Sequence, residues 1–87
     1  MRSLRGPHQV VVDFSQAKGH LVSSRVWHPT QQLTDNADGG IRIAFQIPSI
    51  APVVSWVLEW GPHARAVSPL ELVETVKNEL KQAMAQY

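Results

Sequence analysis

Large apolar residues occupy every second position of residues 41–47, with Arg42, Ala44 and Gln46 between them, which is the clearest pattern in this chain. Successive side chains of a β-strand point to opposite faces of its sheet. The pattern therefore predicts a strand in which Ile43 and Phe45 face a hydrophobic core while Arg42 and Gln46 face away from it. A shift of one residue in register would reverse all of these positions, so the two faces of the strand are strongly specified.

Shorter hydrophobic runs and helix signals predict the other elements. In order, these are a buried strand at residues 10–14, a weak helix at 15–25, a strand at 25–33, a turn at 34–40, a helix at 50–60, a short strand at 64–67 and a helix from 69 nearly to 87. Pro29 lacks the N–H that a ladder needs, which places the second strand at an edge of the sheet.

Capping residues support these helix boundaries. The predicted N-caps are Ser15, Ser49 and Ser68. Ser68 and Glu71 match a capping box, with proline at the first helical position. Gly61, followed by proline, ends the helix at residues 50–60. The apolar positions of the last helix follow helical spacing; they are Val73, Val76, Leu80, Met84 and Tyr87.

The resulting order is β-α-β-β-α-β followed by one more helix. This order favours an antiparallel sheet covered by helices on one face, so the predicted fold is an α+β, ferredoxin-like sandwich with an additional C-terminal helix. A chain of 87 residues has room for one domain. We assign residues 9–87 to that domain and interpret residues 1–8 as a linker or a cut end.

Composition excludes several classes of function but does not identify one. The formal net charge is +1 and the basic residues are scattered, so there is no electrostatic case for duplex DNA binding. The chain has no cysteine, which excludes disulfides and thiolate metal sites and is consistent with a reducing cytoplasm. No run approaches the roughly 20 apolar residues of a membrane span, and we expect no membrane partner.

Residues 50–60 form the most apolar predicted helix. On a helical wheel its apolar side chains cover an arc of roughly 200°, whereas a helix lying on a sheet needs about 100°. Trp56 and Trp60, four residues apart on one face, carry the surplus. Two interpretations stay open: other helices of the chain pack on this face, or Trp56 and Trp60 are interface residues for a neighbouring domain or subunit.

Catalytic signatures are weak. Ser15 and Lys18 match the S-x-x-K motif of penicillin-recognising enzymes, but the companion S-D-N and K-T-G motifs are missing. The 4 histidines lack the spacing that sets metal geometry. Asp35 and Asp38 flank a turn, where aspartate commonly satisfies backbone N–H groups. We therefore expect no catalytic residue, no metal, no cofactor and no enzymatic activity.

The sheet face that points away from the core is the remaining candidate for ligand binding. RNA-recognition domains of similar topology stack bases on aromatic residues there, but the outward positions of residues 42–46 are not aromatic. Arginines on such a face could still hold a phosphate or another small anion. The candidate ligand- or nucleic-acid-binding residues are Arg25, His28, Arg42 and Arg65. A solvated or interface face is the simpler alternative.

Residues 26–87 resemble the WCX domain, the C-terminal extension of bacterial WYL-domain transcriptional regulators. The segments that carry the resemblance are "RVWHPTQQL", "DGGIRIAFQI", "VSWVLEWGPHARAVSPLEL" and the closing tyrosine of "LKQAMAQY". The W-x-x-x-W-G-P stretch that runs into S-P is the most specific part. Such regulators place a DNA-binding helix-turn-helix first, a WYL domain in the middle and WCX last, so the resemblance implies a severed C-terminal module.

The resemblance also implies a regulatory role. WCX domains are ferredoxin-like, help to dimerise the regulator and adjoin the WYL pocket that senses a ligand, in some members single-stranded DNA. The implied partners are the WYL and helix-turn-helix domains of the same regulator, a second copy of the chain, and a single-stranded nucleic acid or small anionic effector, all in the cytoplasm. The alternative is a stand-alone ACT-like small-ligand-binding domain, although residues 15–18 lack the glycine-rich loop that would favour it.

Overall fold

The computed structural model describes residues 8–87, and the predicted linker lies outside them except for His8. Within the described range the chain is an α+β domain with a 4-stranded antiparallel sheet and three α-helices. The elements in order are β1 His8–Phe14, α1 Gln16–Ser23, β2 Gln32–Asp35, β3 Ile41–Ile47, α2 Ala51–Glu59, a 3-10 turn at Gly61–His63, β4 Ala64–Ser68 and α3 Leu70–Met84.

The sheet has the strand order β2-β3-β1-β4, so β2 and β4 are its edges. The predicted faces of β3 are confirmed, because Ile43 is 0% and Phe45 5% exposed while the Arg42 side chain is 43% exposed. Val12 lies opposite Ile43 in the antiparallel register of β1 and β3, so the two strands present their buried side chains on the same face.

The hydrophobic core lies between this sheet face and the helices. Its buried side chains are Val10, Val12 and Phe14 from β1, Val22 from α1, Ile43 and Phe45 from β3, Val53, Val54 and Val57 from α2, and Leu72 and Val76 from α3. Each such side chain contributes about 1.5–3 kcal/mol through burial. Every helix therefore depends on contacts with the sheet more than on its own helix propensity.

Gly19 and Gly61 lie at positions where a larger residue would be disfavoured. Gly19 is buried where α1 crosses β3, and a Cβ atom there would lie 2.9 Å from Cγ1 of Ile41. The glycine that weakens α1 in isolation therefore permits close packing on the sheet. Gly61 has a φ of +59°, in the left-handed region, and ends α2 as predicted.

The prediction of a strand at residues 25–33 is wrong for most of that segment. Strand β2 begins at Gln32 and continues to Asp35, while residues 24–31 form bends and turns. Pro29 lies within a turn, because it has no N–H to give to a neighbouring strand. The Thr30 hydroxyl instead accepts a hydrogen bond from the Gln46 N–H, 2.9 Å away, beyond the point where β2 stops pairing with β3.

The predicted capping interactions also differ from the structure. Helix α3 begins at Leu70, so Ser68 remains in β4, Pro69 occupies the N-cap position and the capping box does not form. Ser15 is at the N-cap of α1, but its side chain makes no capping bond. Ile50, not Ser49, occupies the N-cap position of α2, although the Ser49 Oγ accepts a hydrogen bond from the Ala51 N–H at 3.3 Å. Side-chain capping bonds therefore do not stabilise the starts of α1 and α3.

Candidate functional site

Asp13 and two arginines form an ion-pair cluster on the open face of the sheet. Arg42 Nε donates to Asp13 Oδ1 at 2.7 Å and its Nη2 donates to Oδ2 at 3.0 Å, a bidentate contact. Arg65 Nη2 donates to the same Oδ2 at 3.3 Å from the neighbouring strand β4. The hydrogen bond from Arg42 is the main reason that the pKa of the Asp13 carboxyl is lowered, against the opposing effect of burial.

This cluster places a negative charge within the predicted anion site. Arg42 and Arg65 are brought together as expected, but the carboxylate of Asp13 already lies between them. Sequence reasoning missed Asp13, which is 29 residues from Arg42 along the chain, although its outward position on β1 was the available signal. Arg65, whose side chain is 76% exposed, is the arginine with more freedom to contact another molecule.

Arg25 and His28 lie elsewhere. The Arg25 guanidinium lies over the Trp27 ring, 4.8 Å from its centroid, in a cation–π contact. The His28 ring stacks on Phe45, with centroids 5.3 Å apart and an angle of 16° between the rings. Because Phe45 is on the core face of β3, these residues do not join Arg42 and Arg65 in one site.

Trp56 and Trp60 belong to an aromatic cluster within the chain. The Phe14 ring contacts both of them edge-on, at centroid distances of 5.2 Å each. Trp27 contacts the same two rings at 5.4 and 6.0 Å. Such tilted and T-shaped pairs are the favoured geometries of aromatic contacts. Trp27 is therefore the third tryptophan of this cluster. The incorrect prediction of a strand at residues 25–33 did not place it there.

The indole N–H groups of the cluster are bonded unequally. Trp27 Nε1 donates to the Val22 carbonyl at 3.0 Å, which fixes that ring against the end of α1. Trp56 Nε1 and Trp60 Nε1 are buried and have no hydrogen-bond partner within residues 8–87. The two tryptophans are half-buried, so one part of each side chain packs in the cluster and the other part is exposed to solvent.

Gln31 holds the segment between α1 and β2 in place. Its Oε1 accepts hydrogen bonds from the backbone N–H groups of Trp27, at 2.6 Å, and His28, at 3.1 Å. Its Nε2 donates to the Arg25 carbonyl at 3.1 Å. One side chain thus satisfies backbone groups that a strand would otherwise pair, which is why this irregular segment can be ordered.

A cavity of about 230 Å³ lies beside the aromatic cluster. Its lining residues come from the Gln31-bonded segment, the end of β3 and the first turns of α2. They are Trp27, His28, Phe45, Ile47, Pro52, Val53 and Trp56. The cavity is therefore mostly aromatic and aliphatic, with the His28 ring as its polar component.

Ser15 and His63 form a second polar contact, at the start of α1. The Ser15 Oγ lies 2.9 Å from Nδ1 of His63, and the Ser15 N–H donates to the His63 carbonyl at 2.9 Å. This serine–histidine pair was not predicted, since the two residues are 48 positions apart. The paired bonds attach the turn after α2 to the first turn of α1, and within the described residues no carboxylate bonds to the His63 ring.

Helix α3 leaves part of its apolar face uncovered. Leu72 is fully buried, but Leu80 is 52% and Met84 75% exposed, and Tyr87 is fully exposed. A groove along this part of the helix is lined by Glu74, Lys77, Asn78, Leu80, Lys81 and Met84. Below, the uncovered side chains Leu80, Met84 and Tyr87 are called the α3 stripe.

Membrane spans and metal sites are the other classes of site to consider within residues 8–87. No helix in residues 8–87 has the length and apolar character needed to cross a membrane. No group of three or more histidine or acidic side chains in that range is arranged to hold a metal ion.

Comparison with known proteins identifies the family. The family model of the WCX domain matches residues 6–84. A search of curated proteins gives no match. The matched range contains every strand and helix described above, and it agrees with the resemblance carried by the tryptophan helix and the segments around it. The chain therefore belongs to the WCX domain family.

Proposed function

We propose that this chain is the C-terminal regulatory and dimerisation module of a WYL-type helix-turn-helix transcriptional regulator, and that it contributes to effector sensing. Membership of the WCX family supports the association with a WYL domain. The element order and the strand order β2-β3-β1-β4 support a ferredoxin-like sandwich with an additional C-terminal helix. In this proposal duplex DNA is bound by another part of a cytoplasmic regulator.

The α3 stripe is the observation that carries the dimerisation part of the proposal. Leu80 and Met84 are one helical turn apart and both are more than half exposed. Large apolar side chains that are exposed next to one another on one face are typical of an interaction surface. The surface continues toward the β4 edge, where a second groove is lined by Ala64, Ala66, Val73 and Leu80 among others.

The charges beside the stripe favour a second copy of the chain as its partner. Glu74, Lys77 and Lys81 line the groove beside Leu80 and Met84, with the glutamate nearer the start of α3 and the lysines nearer its end. Glu71 and Glu79 are on the same helix but do not line the groove. If two copies pair about a two-fold axis with their α3 helices antiparallel, Glu74 of each helix lies beside the groove-lining lysines of the other. This arrangement buries the apolar side chains and pairs opposite charges along their rim.

Sedimentation velocity of the isolated domain tests this proposal. We expect a concentration-dependent increase in sedimentation coefficient, which Leu80→Glu combined with Met84→Glu abolishes. The matched control is Val26→Glu, because Val26 is 81% exposed and lies outside the α3 stripe. A wild-type protein that stays monomeric at millimolar concentration would contradict the proposal, as would an equal loss of association in the control.

For effector sensing, we propose that the open face binds a small anion or a single-stranded nucleic acid through Arg65. Its one contact with Asp13 is long, at 3.3 Å, whereas Arg42 is held by two bonds. Binding of a labelled single-stranded oligonucleotide, followed by fluorescence anisotropy, should weaken in Arg65→Ala more than in Lys18→Ala, which removes the same charge from α1. Equal weakening would indicate non-specific attraction.

We propose further that the Ser15–His63 pair is structural and that the domain is not an enzyme. The pair includes a backbone hydrogen bond that holds both residues in register, as expected of a contact between two segments of the fold. Hydrolysis of p-nitrophenyl acetate by the purified domain should equal that of the Ser15→Ala variant. Faster turnover by the wild type would reverse this part of the proposal.

A further inference from the structure

The cavity beside the aromatic cluster has the features of a small-molecule site. Its walls include the faces or edges of Trp27, Phe45 and Trp56, and its volume is about 230 Å³. Binding cavities for drug-sized molecules measure roughly 300–1,000 Å³, so this cavity suits a ligand of one or two fused rings. Aromatic walls favour a planar aromatic ligand over a flexible aliphatic one, since stacked and edge-on contacts add to simple burial.

Hydrogen bonds to Nδ1 determine the tautomer of the neutral His28 ring at the cavity wall. The Thr30 N–H donates to His28 Nδ1 at 3.1 Å, and the Thr30 hydroxyl lies 2.9 Å from the same nitrogen. Because that hydroxyl accepts the Gln46 N–H, its own hydrogen is available to donate to Nδ1. Nδ1 is therefore an acceptor, and the ring hydrogen of neutral His28 is on Nε2.

The Nε2–H group is a donor that a ligand can reach. Among the described residues no acceptor is bonded to it, and it is not one of the buried unpartnered nitrogen atoms, which are Trp56 Nε1 and Trp60 Nε1. The cavity wall is also fixed before any ligand arrives, since Gln31 bonds the backbone of Trp27 and His28 and Trp27 Nε1 bonds α1. A preformed wall loses little entropy on binding.

We propose that this cavity binds a planar heteroaromatic molecule that carries a hydrogen-bond acceptor on its ring edge. The ring lies among Trp27, Phe45 and Trp56, and the acceptor takes the Nε2 hydrogen of His28. This site is separate from the α3 stripe and from Arg65. This proposal names a ligand class for the effector-sensing part of the proposed function. Its regulatory role rests on that proposed function.

Titrations followed by NMR test the proposal on the wild-type domain. The 3 tryptophans give separate indole N–H signals, and Trp60 does not line the cavity. Quinoline has an edge acceptor, indole has none, and cyclohexanol lacks an aromatic ring. We expect quinoline to shift the Trp27 and Trp56 signals most and to bind about fivefold more tightly than indole, the effect of one hydrogen bond. Cyclohexanol should bind most weakly.

The variant His28→Phe keeps an aromatic ring beside Phe45 and removes the donor, so it should bind quinoline and indole equally. His20→Phe makes the same change at an exposed position of α1 that does not line the cavity, so it is the matched control and should bind as the wild type does. The proposal is overturned if millimolar quinoline leaves the Trp27 and Trp56 signals unchanged, or if wild-type protein prefers cyclohexanol or indole. A monomeric domain that binds quinoline would refute dimerisation while leaving this inference intact.

Discussion

Replacing Trp56 with alanine removes a ring that contacts Phe14 at 5.2 Å, Trp27 at 5.4 Å and Phe45 at 5.9 Å. Truncation of a buried tryptophan typically costs about 3–5 kcal/mol. Trp56 is half-buried, which lowers that figure, while each aromatic pair contributes about 0.5–1.5 kcal/mol beyond burial. We expect a loss of about 3 kcal/mol, a large part of the roughly 4–13 kcal/mol typical of a domain of this size.

Urea denaturation followed by far-ultraviolet circular dichroism measures this loss without using tryptophan fluorescence. Trp56→Phe should cost much less, about 1 kcal/mol, because the lost indole N–H has no hydrogen-bond partner within residues 8–87. Val26→Ala is the control and should stay within about 0.5 kcal/mol, since Val26 is 81% exposed. A loss below about 1 kcal/mol in Trp56→Ala would refute the packing argument and favour a pure interface role.

Two further predictions concern Gln31 and Asp13. Gln31→Ala leaves the Trp27 and His28 N–H groups without their acceptor and should lower the unfolding free energy by about 1–3 kcal/mol, with faster hydrogen exchange at both amides; unchanged exchange would contradict the assigned role. Because folding lowers the pKa of Asp13, its contribution is present above the ordinary value of 3.8 and is lost as the pH falls through the lower folded-state pKa. Thermal melts should therefore show that wild type loses about 1 kcal/mol or less of stability from this carboxylate as the pH falls. Asp13→Asn should lack this contribution. Parallel pH curves for the two proteins would argue against it.

Local patterns in the sequence predicted most of the elements correctly. The alternation along β3 fixes which side chains are buried, because a one-residue slip would expose Ile43 and Phe45. The glycine and proline after Trp60 identify the end of α2, since left-handed backbone geometry is readily available to Gly61. These features depend on residues that are neighbours in the chain.

The errors and omissions involve tertiary contacts. Residues 25–33 have strand-like composition, but Pro29 and the side chain of Gln31 stabilise a different backbone path. Ser15 has the composition of a capping residue, yet it bonds to His63 from a distant turn. The pairing of Asp13 with two arginines likewise requires strands that are adjacent in space. No local pattern specifies these contacts, and they determine which candidate site residues are available to a ligand.

Charge reversal along α3 is the most direct test of dimerisation through the α3 stripe. Sedimentation equilibrium can compare wild type with Lys77→Glu/Lys81→Glu, which makes the helix acidic, and with Glu71→Lys/Glu74→Lys, which makes it basic. We expect that wild type self-associates, that each variant alone is monomeric through like-charge repulsion, and that an equimolar mixture of the two variants forms a heterodimer. Variants that self-associate as well as wild type, or a mixture that remains monomeric, would contradict it.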